Sequence, residues 1–135
     1  MDVLHAIQSR RSIRRFKADP LAQESIEAIL DAARLAPSGK NRQPWRFVVV
    51  RGDEREKMSV CLQEGLRHSK EKGYPTGSAE NTFRIMREAP VTVFIFSPSD
   101  TAPWEEQSIG ERIGRIVDIQ SIGGAIENML LRAQE

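Results

Sequence analysis

Pro37-Ser38-Gly39-Lys40-Asn41-Arg42-Gln43-Pro44-Trp45 runs straight into Arg46-Phe47-Val48-Val49-Val50. The first nine residues are small, amide-bearing or rigid, and the next five are strand formers. Such a loop can lie close to a flat heteroaromatic ring, with the Asn41 and Gln43 side-chain amides meeting the ring's carbonyl and nitrogen edge. Upstream lies Arg10-Arg11-Ser12-Ile13-Arg14-Arg15-Phe16. Its guanidinium forks and hydroxyl suit a phosphate or another anionic acceptor. Together the two stretches point to a ligand with a phosphate at one end and a polar ring at the other.

Outward from these motifs, apolar periodicity lays out the elements. Residues 2–10 read as a short helix with Val3, Leu4 and Ile7 on one side. Residues 22–36 read as an amphipathic helix, with Ile26, Ile29, Leu30 and Ala33 at i, i+3, i+4 and i+7 spacing. Pro37 stops it, because the residue before a proline is pushed out of helical geometry. A strand is predicted over 46–51 and a helix over 54–67. Asp53 and Glu56 are spaced as a capping box, and Met58, Cys61, Leu62, Gly65 and Leu66 form the apolar face. Residues 68–80 read as a polar surface loop, 80–88 as a short helix, 91–96 as a strand and 97–106 as a loop.

The last segment, 108–133, reads as one long helix, apolar on more than one face, as buried helices are. Its glycines Gly110, Gly114, Gly123 and Gly124 suit close approach by another helix. Only two segments read as strands. A two-stranded sheet is marginal and leaves open edges, so another chain or further sequence is expected to complete it.

The 135 residues suffice for one domain that buries roughly two-thirds of its unfolded surface. Twenty Lys and Arg against nineteen Asp and Glu leave a net charge of +1, which asks for neither nucleic acid nor an anionic membrane as partner. Basic charge is local instead, in Arg10, Arg11, Arg14, Arg15 and Lys17. Cys61 is the only cysteine, so it forms no internal disulfide and fits a reducing cytoplasm. No signal-peptide apolar region opens the chain, and no apolar run approaches the roughly 20 residues that span a bilayer. His5 and His68 have no neighbours at metal-ligand spacing, and no nucleophile elbow is present, so no metal site and no catalytic triad are expected.

The two motifs resemble those of the FMN-dependent nitroreductase family, Arg-Arg-Ser-x-Arg-x-Phe after a first helix and Pro-Ser-x-x-Asn-x-Gln-Pro-Trp before the first strand. Asp118-Ile119-Gln120-Ser121-Ile122-Gly123-Gly124-Ala125-Ile126-Glu127-Asn128-Met129-Leu130-Leu131 resembles the family's long central helix. The resemblance implies an α+β fold: a nitroreductase-like α/β/α sandwich with a mixed sheet and that helix in a dimer core. Residues 1–135 would form a single FMN-binding domain. The family pattern continues past the long helix with further strands and a partner-wrapping arm. A fold incomplete at the C-terminus is therefore implied.

The resemblance also implies a homodimer with FMN at its interface and NAD(P)H as electron donor. The activity would be ping-pong reduction of nitroaromatics, quinones or related electron-poor molecules. Arg10, Arg11, Ser12 and Arg14 would serve the phosphate end and the pyrimidine edge. Pro37, Ser38, Gly39, Asn41 and Gln43 would serve the ring from the other subunit. No catalytic residue is expected, since the cofactor carries the chemistry.

Two other readings stand beside this one. The chain could be a flavin-binding or inactive truncated remnant without turnover. It could instead be a small basic module that binds a polyanion without a cofactor. Several single residues carry bland expectations: Phe16 and Cys61 in the core, Arg15 and Lys17 toward solvent, Lys40 and Arg42 as plain surface charge. Pro44 and Trp45 are expected to lead the chain into the sheet. Tyr74 and Trp104 are aromatics for a substrate entrance or an interface.

Overall fold

The computed structural model describes residues 2–98 and 105–135. Five helices and two strands follow in order: α1 Val3–Ser9, α2 Gln23–Arg34, β1 Arg46–Arg51, α3 Glu54–Glu71, α4 Ala79–Glu88, β2 Val91–Phe96 and α5 Ile109–Gln134. A short 3-10 turn, Gly39–Asn41, lies between α2 and β1. β1 and β2 pair as a two-stranded antiparallel sheet. Trp104 and the middle of the loop expected over 97–106 lie outside the described residues. None of the described helices is long and apolar enough to cross a membrane.

The chain gathers into two compact units. The first contains α1, α2, the 3-10 turn and α5. Here α2 packs along α5. Ala33 of α2 and Ala125 of α5 have no exposed surface, and Ile26, Ala36, Ser121 and Met129 are buried with them. Alanines at the crossing keep the side chains short enough for the helices to approach. Asn128 Nδ2 donates to the Ala32 carbonyl at 3.0 Å, which fixes the register of this packing. The glycines of α5 were expected to provide such an approach. Within this chain's described residues no helix uses them, because a Cβ built at Gly110, Gly114, Gly123 or Gly124 meets nothing within 4 Å.

The second unit contains Ser12–Leu21 and Val48–Phe94, with α3 packed on α4. Met58, Ser59 and Ala89 are buried. Arg55 Nη2 reaches the Arg87 carbonyl at 2.7 Å. Glu88 receives Arg84 at 2.5 Å and Arg15 at 2.9 Å. The hydrogen bond from Arg84, aided by the charges of Arg15 and Arg84, holds the Glu88 carboxyl below its ordinary range.

Several local expectations are corrected. Helix α3 runs to Glu71, past the expected end at 67. Its last turn is polar but carries the i,i+4 pair Arg67–Glu71 at 2.6 Å, which supports helix without an apolar signal. Asp53 makes no capping bond, because its backbone is itself helical after the turn at Gly52. Cys61 is exposed rather than core. Phe16 also lies outside the core, 42% exposed.

A capping box does form at the start of α5. Ser108 Oγ accepts the Glu111 N–H at 3.3 Å, and Glu111 Oε2 accepts the Ser108 N–H at 2.7 Å. The Ser108 hydroxyl, and then its N–H, hold the Glu111 carboxyl below its usual value of 4.5. A carboxyl depressed in the folded state contributes stability above its unfolded pKa, and that contribution is lost as pH falls through the folded one. Glu111→Gln is therefore expected to show a shallower fall of Tm with pH below 4.5 than the parent chain. Parallel Tm–pH curves would show that the box carries no linked proton.

The expectation that α5 is buried nearly all round is met on one face only. Ser121, Ala125 and Met129 are buried. Ile109, Ile113, Ile116, Ile119, Ile126 and Leu130 are exposed. With exposed Gly123, those positions recur at steps of three and four, so they form one continuous stripe along the helix.

Candidate functional site

The 37–43 loop sits on α5 within the first unit. Three of its residues adopt left-handed backbone: Lys40 (φ 55°), Asn41 (φ 54°) and Gln43 (φ 51°). Such values are uncommon outside glycine and cost free energy unless the surroundings hold them. Local bonds do part of this. Asn41 N–H donates to the Ser38 carbonyl at 2.9 Å, and Arg42 N–H to the Gly39 carbonyl at 3.2 Å. Gln43 N–H donates to Ser38 Oγ at 2.9 Å. A tight turn follows, with Trp45 N–H on the Gln43 carbonyl at 2.8 Å. Pro44 is buried at its centre, and β1 begins immediately after.

Helix α5 supplies the rest. Gly39 N–H donates to Ser121 Oγ at 3.4 Å, and that hydroxyl donates to the Val117 carbonyl at 2.7 Å. Arg42 Nη2 pairs with Asp118 Oδ1 at 2.7 Å and reaches the Gly114 carbonyl at 3.4 Å. Gly114, Val117, Asp118 and Ser121 share one helix face by their three- and four-residue spacing. Arg42 is thus a clamp rather than the plain surface charge expected. Nothing in the sequence marks Asp118 as the counterpart of Arg42, or Ser121 as that of Gly39, beyond that spacing.

Ser38 uses its hydroxyl to close the loop. The side-chain amides of Asn41 and Gln43 have no hydrogen-bond partner among the described residues, and both residues are exposed. Pro37 is exposed, and Gly39 is half-buried against α5.

The arginine motif divides between the two units. In the first, Arg10 Nε faces Glu127 Oε1 at a loose 3.5 Å. Arg11 Nη1 reaches only carbonyls, those of Gln8 and Arg10, each at 2.8 Å. In the second, Arg14 Nη1 donates to the Ser12 carbonyl at 3.2 Å. Ser12, Arg14, Arg15 and Lys17 are exposed, as expected for the last two. Among the described residues, Arg11 and Arg14 pair with no carboxylate, so both charges remain available to an anion. No cluster of metal-binding side chains occurs among the described residues. Taken separately, arginine forks of this kind suit an anion, and uncommitted side-chain amides suit the polar edge of a ring.

Over 65 residues the chain is 40% identical to nitrobenzene nitroreductase of Ectopseudomonas oleovorans, a match covering 48% of this chain and 29% of that protein. It is 29% identical over 121 residues to iodotyrosine deiodinase of Thermotoga neapolitana, covering 82% and 63%. A Desulfovibrio desulfuricans protein described as a nitroreductase and solved in complex with FMN superposes with TM-score 0.67. It is 32% identical, over 97% of this chain and 61% of that one. A BluB-like flavoprotein from Clostridium difficile superposes with TM-score 0.70 at 28% identity, covering 98% and 69%. The chain thus spans less than two-thirds of the length of the curated relatives named here. The profile of the nitroreductase family matches residues 7–135, nearly the whole sequence, and the chain belongs to that family.

Proposed function

We propose that the chain is a single FMN-binding domain that works as an NAD(P)H-dependent oxidoreductase. It reduces nitroaromatics, quinones or related electron-poor molecules, which alternate with the nicotinamide at one site. The observation that carries this reading is the 37–43 loop, held in left-handed geometry with two uncommitted amides at its tip. The family, and a relative named for nitrobenzene reduction, supply the reaction class.

The chain's own residues bind and orient. Arg10, Arg11, Ser12 and Arg14 hold the phosphate end and the pyrimidine edge. Asn41 and Gln43 meet the ring edge, where donors favour the negative charge of a reduced ring. Pro37, Ser38 and Gly39 shape the loop that presents them. When bound, FMN supplies the hydride chemistry, so no protein acid–base pair is called for. The exposed stripe of α5 is the face of a homodimer whose interface holds the flavin. Cys61, exposed and without a second cysteine to pair with, suits a reducing cytoplasm.

The first measurement is the visible spectrum of the desalted full chain titrated with FMN, followed by NADPH or NADH without oxygen. Flavin retention and bleaching are expected, and a chain that binds no FMN would overturn the reading. In the same assay Arg14→Ala should weaken FMN binding about 10- to 150-fold, the equivalent of one charge-assisted hydrogen bond. Riboflavin, which lacks the phosphate, should be affected far less. Equal affinity of parent and variant for FMN would remove Arg14 from the phosphate site.

A further inference from the structure

We infer that Asp118 and Ser121 are the positioning residues of the ring-binding loop, acting from α5 through Arg42 and Gly39. This rests on the reading above and names the residues that set its ring site. The loop needs such support because three residues within four positions hold left-handed backbone. Its internal bonds tie it only to itself, through Ser38 and Gly39. Without α5, nothing among these contacts fixes where the strained turn sits.

Two points of attachment, three residues apart on both partners, supply that. Arg42 binds Asp118 at 2.7 Å, and the Asp118 side chain is only 21% exposed, so the pair is partly shielded from water. Shielding matters because fully exposed ion pairs contribute little. Gly39 N–H binds Ser121 Oγ, whose own proton is committed to the Val117 carbonyl, so the hydroxyl is left as an acceptor aimed at the loop. The attachments bracket Lys40 and Asn41, the first two left-handed residues. A misplacement of about 1 Å at a binding group is enough to lose most of its contribution. Asp118 and Ser121 therefore govern ring affinity without touching the ring.

The test compares the parent chain with Asp118→Asn and Ser121→Ala, and with Arg42→Ala as the variant that breaks the same ion pair from the loop side. Hydrogen exchange of the flavin-free chains is read at the amides of residues 39–43. Affinity is read with FMN and with lumiflavin, a ring without the phosphate chain. The expected result is amide exchange about tenfold faster, with FMN and lumiflavin weakened by a similar factor of about ten. Asp118→Asn and Arg42→Ala should not add when combined.

This pattern differs from that of Arg14→Ala, which spares the ring-only ligand. Unchanged exchange in all three variants would overturn the inference whether or not flavin binds. Faster exchange with unchanged lumiflavin affinity would overturn it too, leaving Asp118 a merely structural clamp. A parent chain that binds neither flavin would overturn the functional reading, and the ring-positioning role with it.

Discussion

Gly39→Ala should destabilise the fold by about 1–3 kcal/mol, the usual cost of forcing an extra methyl into a packed contact. Backbone conformation is not the reason, because Gly39 is not among the residues with positive φ. The reason is contact with α5. A Cβ on Gly39 would collide with Val117 Cγ1 and stand 3.8 Å from its Cβ. Valine in a helix is confined largely to one χ1 rotamer, so the methyl cannot swing away cheaply. The loop must lift instead, which lengthens the Gly39–Ser121 bond already at 3.4 Å. Flavin affinity should fall with it. Val117→Ala removes the obstructing methyl, so Gly39→Ala with Val117→Ala should recover most of the loss in urea unfolding. A neutral single substitution would mean that the loop does not lie against α5 this closely. A double variant no better than the single would place the strain elsewhere.

What the sequence carried and what it withheld follow a physical line. Features set by neighbours along the chain were readable. Apolar periodicity located α2, α4 and α5 to within about two residues, the ordinary uncertainty of helix ends. Pro37 ended the second helix, and the β-branched run Val48-Val49-Val50 marked β1. The loop motif drew attention to the segment that the structure shows to be strained. Features set by distant neighbours were not readable. Arg42 and Asp118 stand 76 positions apart, so neither announces the other.

Periodicity likewise reports that a face is apolar without reporting what covers it. It put Cys61 inside, and Phe16 was expected inside by its residue type alone, although both are exposed. The same limit explains α5. Its greasy circumference was evident, but among the described residues only the Ser121, Ala125 and Met129 side is covered. At the capping sites the rule was sound and the outcome depended on backbone. Ser108 is extended and caps, whereas Asp53 is already helical and cannot.

Ile119→Glu should convert a dimer into a monomer and release flavin as it does so. Ile119 stands midway along the exposed stripe and is 62% exposed within its own chain. A glutamate there has good helix propensity and replaces a side chain that contributes little to the subunit's core. The isolated subunit should therefore keep its helix content, and the change should read the interface alone. In a two-fold dimer each substitution occurs twice. Burying an isoleucine contributes about 1.5–3 kcal/mol, so the two lost side chains alone remove at least about 3 kcal/mol. A carboxylate forced out of water adds to that loss. The dimer dissociation constant should rise by more than about a hundredfold.

Sedimentation of the parent and variant chains at one concentration, with circular dichroism to confirm folding, decides the matter. A parent chain that sediments as a monomer, or a variant that stays dimeric, would show that the stripe is not the interface. It would also withdraw the assignment of the two motifs to one flavin shared between subunits. Loss of the dimer with flavin still bound at parent affinity would keep the interface on α5. It would place the whole flavin site within one subunit.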